Sequence, residues 1–140
     1  MPTDPAYFNN LGLSQFEATR YDKAIISYEQ AIRLETAANA NNDQDSSKEN
    51  LSSYHKNLGL TLFTKGDLER ALVEYEIAIQ NNEMNAENYF NRGNLKLKKE
   101  QFDEAHADFE LAIQLEDQNA KFYHAKGLTY QAEAELEAQQ

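Results

Sequence analysis

The sequence predicts an all-α chain, a solenoid of antiparallel helix pairs stacked one on the next, and three observations carry that prediction. The only prolines among the 140 residues are Pro2 and Pro5. An all-β protein of this length needs many turns punctuated by Pro and Gly, and this chain does not supply them. The chain also repeats itself: Gly12, Gly59, Gly93 and Gly127 stand 47, 34 and 34 residues apart. Four more columns keep the 47- and 34-residue intervals: Ala24, Ala71 and Ala105; Tyr28, Tyr75 and Phe109; Ala31, Ala78 and Ala112; Tyr21, Leu68 and Phe102. Within a unit the apolar residues recur at helical steps, as in Tyr89, Gly93 and Leu97, then Phe102, Ala105, Phe109 and Ala112. Small residues fall where two helices must approach closely, and large ones fill the space between them. One such hairpin cannot bury its apolar face alone, so neighbouring hairpins must stack.

Each element follows from local chemistry. Asp4 is a suitable N-cap with Pro5 at the first helical position, so the first helix runs from about Pro5 to Thr19. The second runs from near Asp22 to about Ala38. Ser46-Ser47-Lys48-Glu49 reads as a capping box opening a third helix that continues to about Thr64. The first interval exceeds the others by 13 residues, which places an insertion at the first junction. It reads as a lengthened hairpin: Ala37 to Ala40 extends one helix, Lys48 to Leu51 extends the next, and Asn41-Asn42-Asp43-Gln44-Asp45 is a polar, mobile loop. The second unit breaks at Lys65-Gly66-Asp67. The remaining helices are expected near Leu68–Asn81, Asn85–Lys99, Phe102–Leu115 and Ala120–Ala138, with Asn85 and Asn119 as N-caps. About seven helices form a single domain over residues 1–140. Repeat 1 covers about 5–38, the insertion 39–51, repeat 2 52–85, repeat 3 86–119 and a terminal helix 120–140.

A 34-residue helix–turn–helix unit with an aromatic, then Leu-Gly, then Ala, an aromatic and Ala resembles the tetratricopeptide repeat. The first unit reads Phe8, Leu11, Gly12, Tyr21, Ala24, Tyr28, Ala31. The second reads His55, Leu58, Gly59, Leu68, Ala71, Tyr75, Ala78, and the third Tyr89, Arg92, Gly93, Phe102, Ala105, Phe109, Ala112. A fourth begins with Tyr123, Lys126, Gly127 and Tyr130. The chain departs from the family pattern at Thr36, Glu83 and Asp117, which replace a late proline. It departs again at His55 in place of a bulky aromatic, and at Gln15 and Lys96 in place of tyrosine. The resemblance implies a right-handed superhelix whose first helices line an inner groove.

Composition narrows the function. Hydrophobic residues are 41% and charged residues 26%, as in a globular protein, and the net charge is −11. A polyanion is repelled by nucleic acid and by anionic lipid, so neither is the expected partner. No cysteine is present, which excludes disulfides, thiolate metal sites and a cysteine nucleophile. No apolar run is long enough to span a bilayer, and Met1 to Asn10 does not read as a signal peptide, so the expected location is cytoplasmic. The three histidines form no metal motif. His55 occupies a packing column, and His106 lies at helical spacing from Asp103 and Glu110, as expected of surface ion pairs. No nucleophile–base pair emerges, so the expectation is no catalysis and no cofactor.

The functional expectation is therefore binding to a protein or peptide. Asn10, Asn57 and Asn91 occupy the same place in three units, two residues before the glycine. A side-chain amide both donates and accepts, so such a ladder can hold a peptide backbone without reading its sequence. It is similar to the asparagine ladder lining the superhelix of the O-GlcNAc transferase. Around it the groove is expected to show Asn9, Leu13, Phe16, Lys56, Leu60, Phe63, Phe90, Asn94, Lys121, His124 and Leu128, a mixture suited to peptide capture. Arg92, Lys96, Lys98, Lys99, Lys121 and Lys126 form a basic cluster, read as solvated lysines with Arg92 snorkelling or as a positive end for an acidic segment. A second family reading is the dicarboxylate clamp of co-chaperones for acidic chaperone tails. Lys56, Asn91 and Lys121 match it, whereas Leu60 and Ala125 replace an Asn and an Arg. Registered one unit earlier, only Asn57 matches, and Asn9, Leu13, Glu87 and Asn91 occupy the other four places. A third reading is the recognition part of a larger enzyme. The abrupt start and the unfinished fourth unit suggest a piece of a longer protein, and unfinished ends invite end-to-end self-association.

Overall fold

The computed structural model describes residues 2–40 and 45–140. Its described residues form seven helices and no strand: α1 (Pro5–Glu17), α2 (Tyr21–Ala38), α3 (Asp45–Lys65), α4 (Leu68–Asn81), α5 (Ala86–Lys98), α6 (Phe102–Leu115) and α7 (Ala120–Ala138). None of these helices is long and apolar enough to cross a membrane. The fold is all-α, as the spacing of the apolar residues dictates. The chain divides into two compact units, Met1–Glu83 with α1 to α4 and Met84–Gln140 with α5 to α7.

Helix starts follow the caps. Asp4 Oδ1 accepts from the Ala6 amide at 3.0 Å, Asn85 Oδ1 from Glu87 at 3.0 Å and Asn119 Oδ1 from Lys121 at 3.1 Å. Asp67 Oδ1 supplies a cap that the spacing alone does not single out, accepting from the Arg70 amide at 3.3 Å. The capping box at Ser46 is corrected. α3 starts at Asp45, so Ser46 and Ser47 lie inside the helix, and Ser47 is buried. An acidic residue in the first turn suits the positive end of the helix dipole. Of the loop expected at Asn41–Asp45, Asp45 is helical and Asn41 to Gln44 lie outside the described residues.

The three hairpins close in one way. Arg20 N donates to Gln15 O at 2.8 Å, Asp67 N to Leu62 O at 2.9 Å and Gln101 N to Lys96 O at 2.9 Å. Such a closure places the intervening residue in the left-handed region. Thr19 has φ 60°, Gly66 φ 95° and Glu100 φ 60°. These three positions carry the same 47- and 34-residue spacing as the packing columns. Only one of them is glycine, so sequence inspection finds one turn of this kind and misses two.

In the first unit, α1 packs on α2, α2 on α3 and α3 on α4. Ala24, Ala31, Ala71 and Ala78 are fully buried, and Tyr28 and Tyr75 fill the space between the helices. The lengthened part of α3 is anchored: Asn50 Nδ2 donates to Glu35 Oε1 of α2 at 2.7 Å. Further on, Ser52 Oγ donates to the Ala78 carbonyl of α4 at 2.8 Å. In the second unit, α5 packs on α6 and α6 on α7 around Ala105, Phe109, Ala112 and Phe122.

Three of the column glycines are required by contact distance. A Cβ on Gly12 would stand 2.6 Å from Tyr28, one on Gly59 2.7 Å from Tyr75 and one on Gly93 2.6 Å from Phe109. Each glycine seats the ring of its own hairpin's second helix. Gly127 has nothing within 4 Å.

Candidate functional site

The candidate residues lie on the first helices of the hairpins. In the first unit these are α1 and α3, which touch one another. Asn10 is exposed, and Leu13 and Leu60 leave 39% and 37% of their surface in water. Lys56 is half-buried. Asn57 is half-buried as well, and its Nδ2 donates to Asn9 Oδ1 of α1 at 2.9 Å. One donor of that amide therefore braces two helices. His55 is indeed a packing residue, with its Nδ1 2.6 Å from Glu74 Oε2 of α4 and both side chains largely buried.

In the second unit, Asn91 is buried and Asn94 half-buried. Phe90 sits between Phe109 and Phe122, with ring centroids 6.0 and 5.2 Å away, and packs against the core. Lys121 pairs with Glu87, and its Nζ stands 4.7 Å from the centroid of the Phe90 ring. His124 is exposed. The three repeat-equivalent asparagines thus have three environments: exposed, braced and buried. The expectation that all three amides face solvent is corrected at Asn91.

The basic cluster is also corrected. Arg92 does not snorkel. Its Nε and Nη2 donate to Asp108 Oδ2 and Oδ1 at 2.9 and 2.7 Å, and the Asp108 side chain is only 5% exposed. Lys96 pairs with Glu104, Lys121 with Glu87 and Lys126 with Glu110. The hydrogen bond that Lys126 donates to Glu110 raises the lysine's pKa above the usual value. Arg92, Lys96, Lys121 and Lys126 are thereby matched by carboxylates of this chain. His106 does not pair with Asp103 or Glu110. Its ring lies 4.2 Å from that of Tyr130, and its Nε2 is 3.5 Å from Glu133 Oε2, outside hydrogen-bonding geometry. Helical spacing put the three residues on one stripe, but His106 turns toward α7.

One column escapes a search for polar ligands. The residue after each column glycine is Leu13, Leu60, Asn94 or Leu128. The three leucines stay 39%, 37% and 43% exposed. Leu128 also borders an open cleft of about 460 Å³ in the second unit, lined by Leu97, Phe102, Ala132 and Leu136 among others. Among the described residues no group of three or more His, Asp or Glu could hold a metal ion.

Comparison with known proteins gives a consistent picture. Two tetratricopeptide repeat profiles match residues 5–37 and 86–119, and a TPR repeat profile matches residues 59–99. Among curated proteins no sequence relative is found. Many solved structures share the fold. The first TPR domain of human RPAP3 is 21% identical with a TM-score of 0.80, covering 99% of this chain and 98% of that one. The Arabidopsis OM64 TPR domain is 20% identical with a TM-score of 0.77, covering 91% and 94%. The first TPR of Spaghetti (RPAP3), bound to the HSP90 peptide SRMEEVD, is 21% identical with a TM-score of 0.77, covering 94% of each chain. The sequence matches take in well over half of the chain. The chain belongs to the tetratricopeptide repeat family.

Proposed function

We propose that this chain is a non-catalytic protein-interaction module that holds an extended or helical segment of a partner protein against the first helices of its repeats. The observation that carries this reading is the pair of leucines left at the surface of the first unit, Leu13 on α1 and Leu60 on α3, each one residue after its column glycine. Large apolar side chains left partly in water at a fixed repeat position suit the anchors of a bound segment. Asn10 beside Leu13 adds an exposed amide able to hold a peptide backbone. The cysteine-free composition is in keeping with a cytoplasmic protein.

The test compares wild type with Leu13→Ser, Leu60→Ser in affinity capture followed by tandem mass spectrometry, then in titrations with the captured partner. Circular dichroism should be unchanged and affinity should fall at least tenfold, about 1.4 kcal/mol. Unchanged affinity would reject these anchors.

A second reading, binding of acidic chaperone tails, is favoured by Lys56, Asn91 and Lys121 at three of the five clamp positions and by the peptide held in the Spaghetti structure. It is weakened by the pairing of Lys121 with Glu87 and by Ala125, which is 4% exposed at the place of the arginine. Titration with SRMEEVD decides it. No heat and no chemical-shift change would remove this reading and leave the first intact.

A further inference from the structure

We propose that the outer face of α7 is a self-association surface, on which a second copy of this chain packs its own α7 antiparallel about a two-fold axis, each tyrosine of one copy seated on a small residue of the other. The proposal is independent of the peptide-binding reading, because it uses an exposed face of α7 and neither of the leucine anchors on α1 and α3.

Gly127 raises the question. The three other glycines of its column each receive an aromatic ring, Tyr28, Tyr75 or Phe109. Gly127 keeps the same register and receives nothing. Around it, Tyr123, Gly127, Tyr130 and Ala134 follow at steps of four, three and four, which puts them on one face of the helix. All four are exposed, Tyr123 at 49% and Tyr130 at 57%. The opposite face, with Phe122, Ala125 and Thr129, is buried.

The stripe is complementary to itself. When Tyr130 of one copy is set opposite Gly127 of an antiparallel partner copy, Tyr123 falls opposite Ala134, and the two-fold repeats both pairs. Large side chains meet small ones along the whole seam, as an isologous interface requires. Small residues at the contact let the helix axes come close. Both rings are already held in place: Tyr123 Oη donates to the Asp117 carbonyl at 2.8 Å, and Tyr130 rests on His106. Docking them therefore costs little side-chain freedom. In an antiparallel pair like flanks meet, which brings His124 of one copy toward Glu135 of the other. The net charge of −11 opposes association, so added salt should tighten it.

Sedimentation velocity over a dilution series of the whole chain tests this. Wild type should pass reversibly from dimer to monomer, at lower concentrations as salt is raised. Gly127→Glu occupies space that is empty within one copy. It should keep its helicity and thermal midpoint while the dimer dissociation constant rises at least tenfold. The cysteine-free chain also allows a register test. Under oxidation, a mixture of Tyr123→Cys and Ala134→Cys copies should form a cross-linked dimer, and neither variant alone should. In this pairing, like positions stand as far apart as Tyr123 and Ala134 do along one helix, about 16 Å, beyond the reach of a disulfide. Wild type that stays monomeric at every concentration, Gly127→Glu that associates like wild type, or Tyr123→Cys that cross-links with itself would each overturn the proposal.

Discussion

Four glycines in one repeat column have two different reasons to be small. At Gly59 an added methyl would meet the buried Tyr75 ring at 2.7 Å, a contact that real Cβ atoms do not make. Tyr75 is 1% exposed and has little room to retreat. Gly59→Ala should therefore cost about 1–3 kcal/mol through overpacking, read from a denaturant melt. Gly127→Ala meets nothing and replaces a poor helix former with the best one, so the same melt should show a gain of about 0.5–1 kcal/mol. Two losses of similar size would mean that Gly127 is covered within the monomer. Ala105 is 0% exposed in the α5–α6–α7 core, and Ala105→Phe should cost about 1–3 kcal/mol. A melt unchanged by that substitution would remove the register on which the core assignment rests.

The hairpin is the element that the repeat copies, and its turn stores strain. Thr19, a β-branched residue, is held at φ 60°, where its Cβ crowds the following carbonyl. Thr19→Gly should stabilise by about 0.5–1 kcal/mol after allowing for glycine's extra freedom in the unfolded chain, and a higher thermal midpoint would report it. Gly66 already occupies that position in the second hairpin and carries no such penalty. The α5–α6 hairpin is tied by the two hydrogen bonds from Arg92 to the buried Asp108 carboxylate. Removing one partner of a largely buried pair strands the other, so Arg92→Met should cost about 3–5 kcal/mol. Asp108→Leu placed in the same chain should return most of the loss, because two apolar groups then replace a satisfied pair. A double variant as unstable as the single one would show that Arg92 acts through its other contacts.

At the scale of the whole molecule, pH acts through buried phenols. Burial pushes Tyr28 up to about 12, with nearby Glu17 adding to the rise and a hydrogen bond with Thr61 opposing it. Burial raises Tyr75 as well. It also raises Tyr54, helped by the charges of Glu35 and Asp4. A raised pKa means that the folded chain binds the phenolic proton more tightly than the unfolded chain, whose tyrosines titrate near 10.0. This stability is fully present below pH 10 and is lost as pH rises from 10 toward 12. Alkaline titration followed by far-ultraviolet circular dichroism should show unfolding in that window. Tyr28→Phe, which keeps the ring and removes the proton, should make stability fall less steeply there. Equal slopes for the two proteins would contradict the assignment.

The helices, their order and the packing columns are legible without the fold, because a 34-residue period and a 3.6-residue period are both written in residue size and polarity. Five of the seven helices, α2, α4, α5, α6 and α7, have ends within one residue of those read from spacing and caps. The tertiary structure decided which polar groups remain available to a ligand. Lys121 reads as a cation free for an acidic peptide, yet Glu87, one 34-residue repeat earlier, is paired with it. Asn91 reads as the third rung of a ladder, yet it is buried, and Asn57 spends one donor on Asn9. Thr19 and Glu100 gave no sign of their left-handed backbone, because turn strain is imposed by hairpin closure and not by propensity. Periodicity records the face on which a side chain lies, since that depends only on its own helix. Whether the side chain finds a partner there depends on residues brought close by packing, and only the fold supplies them.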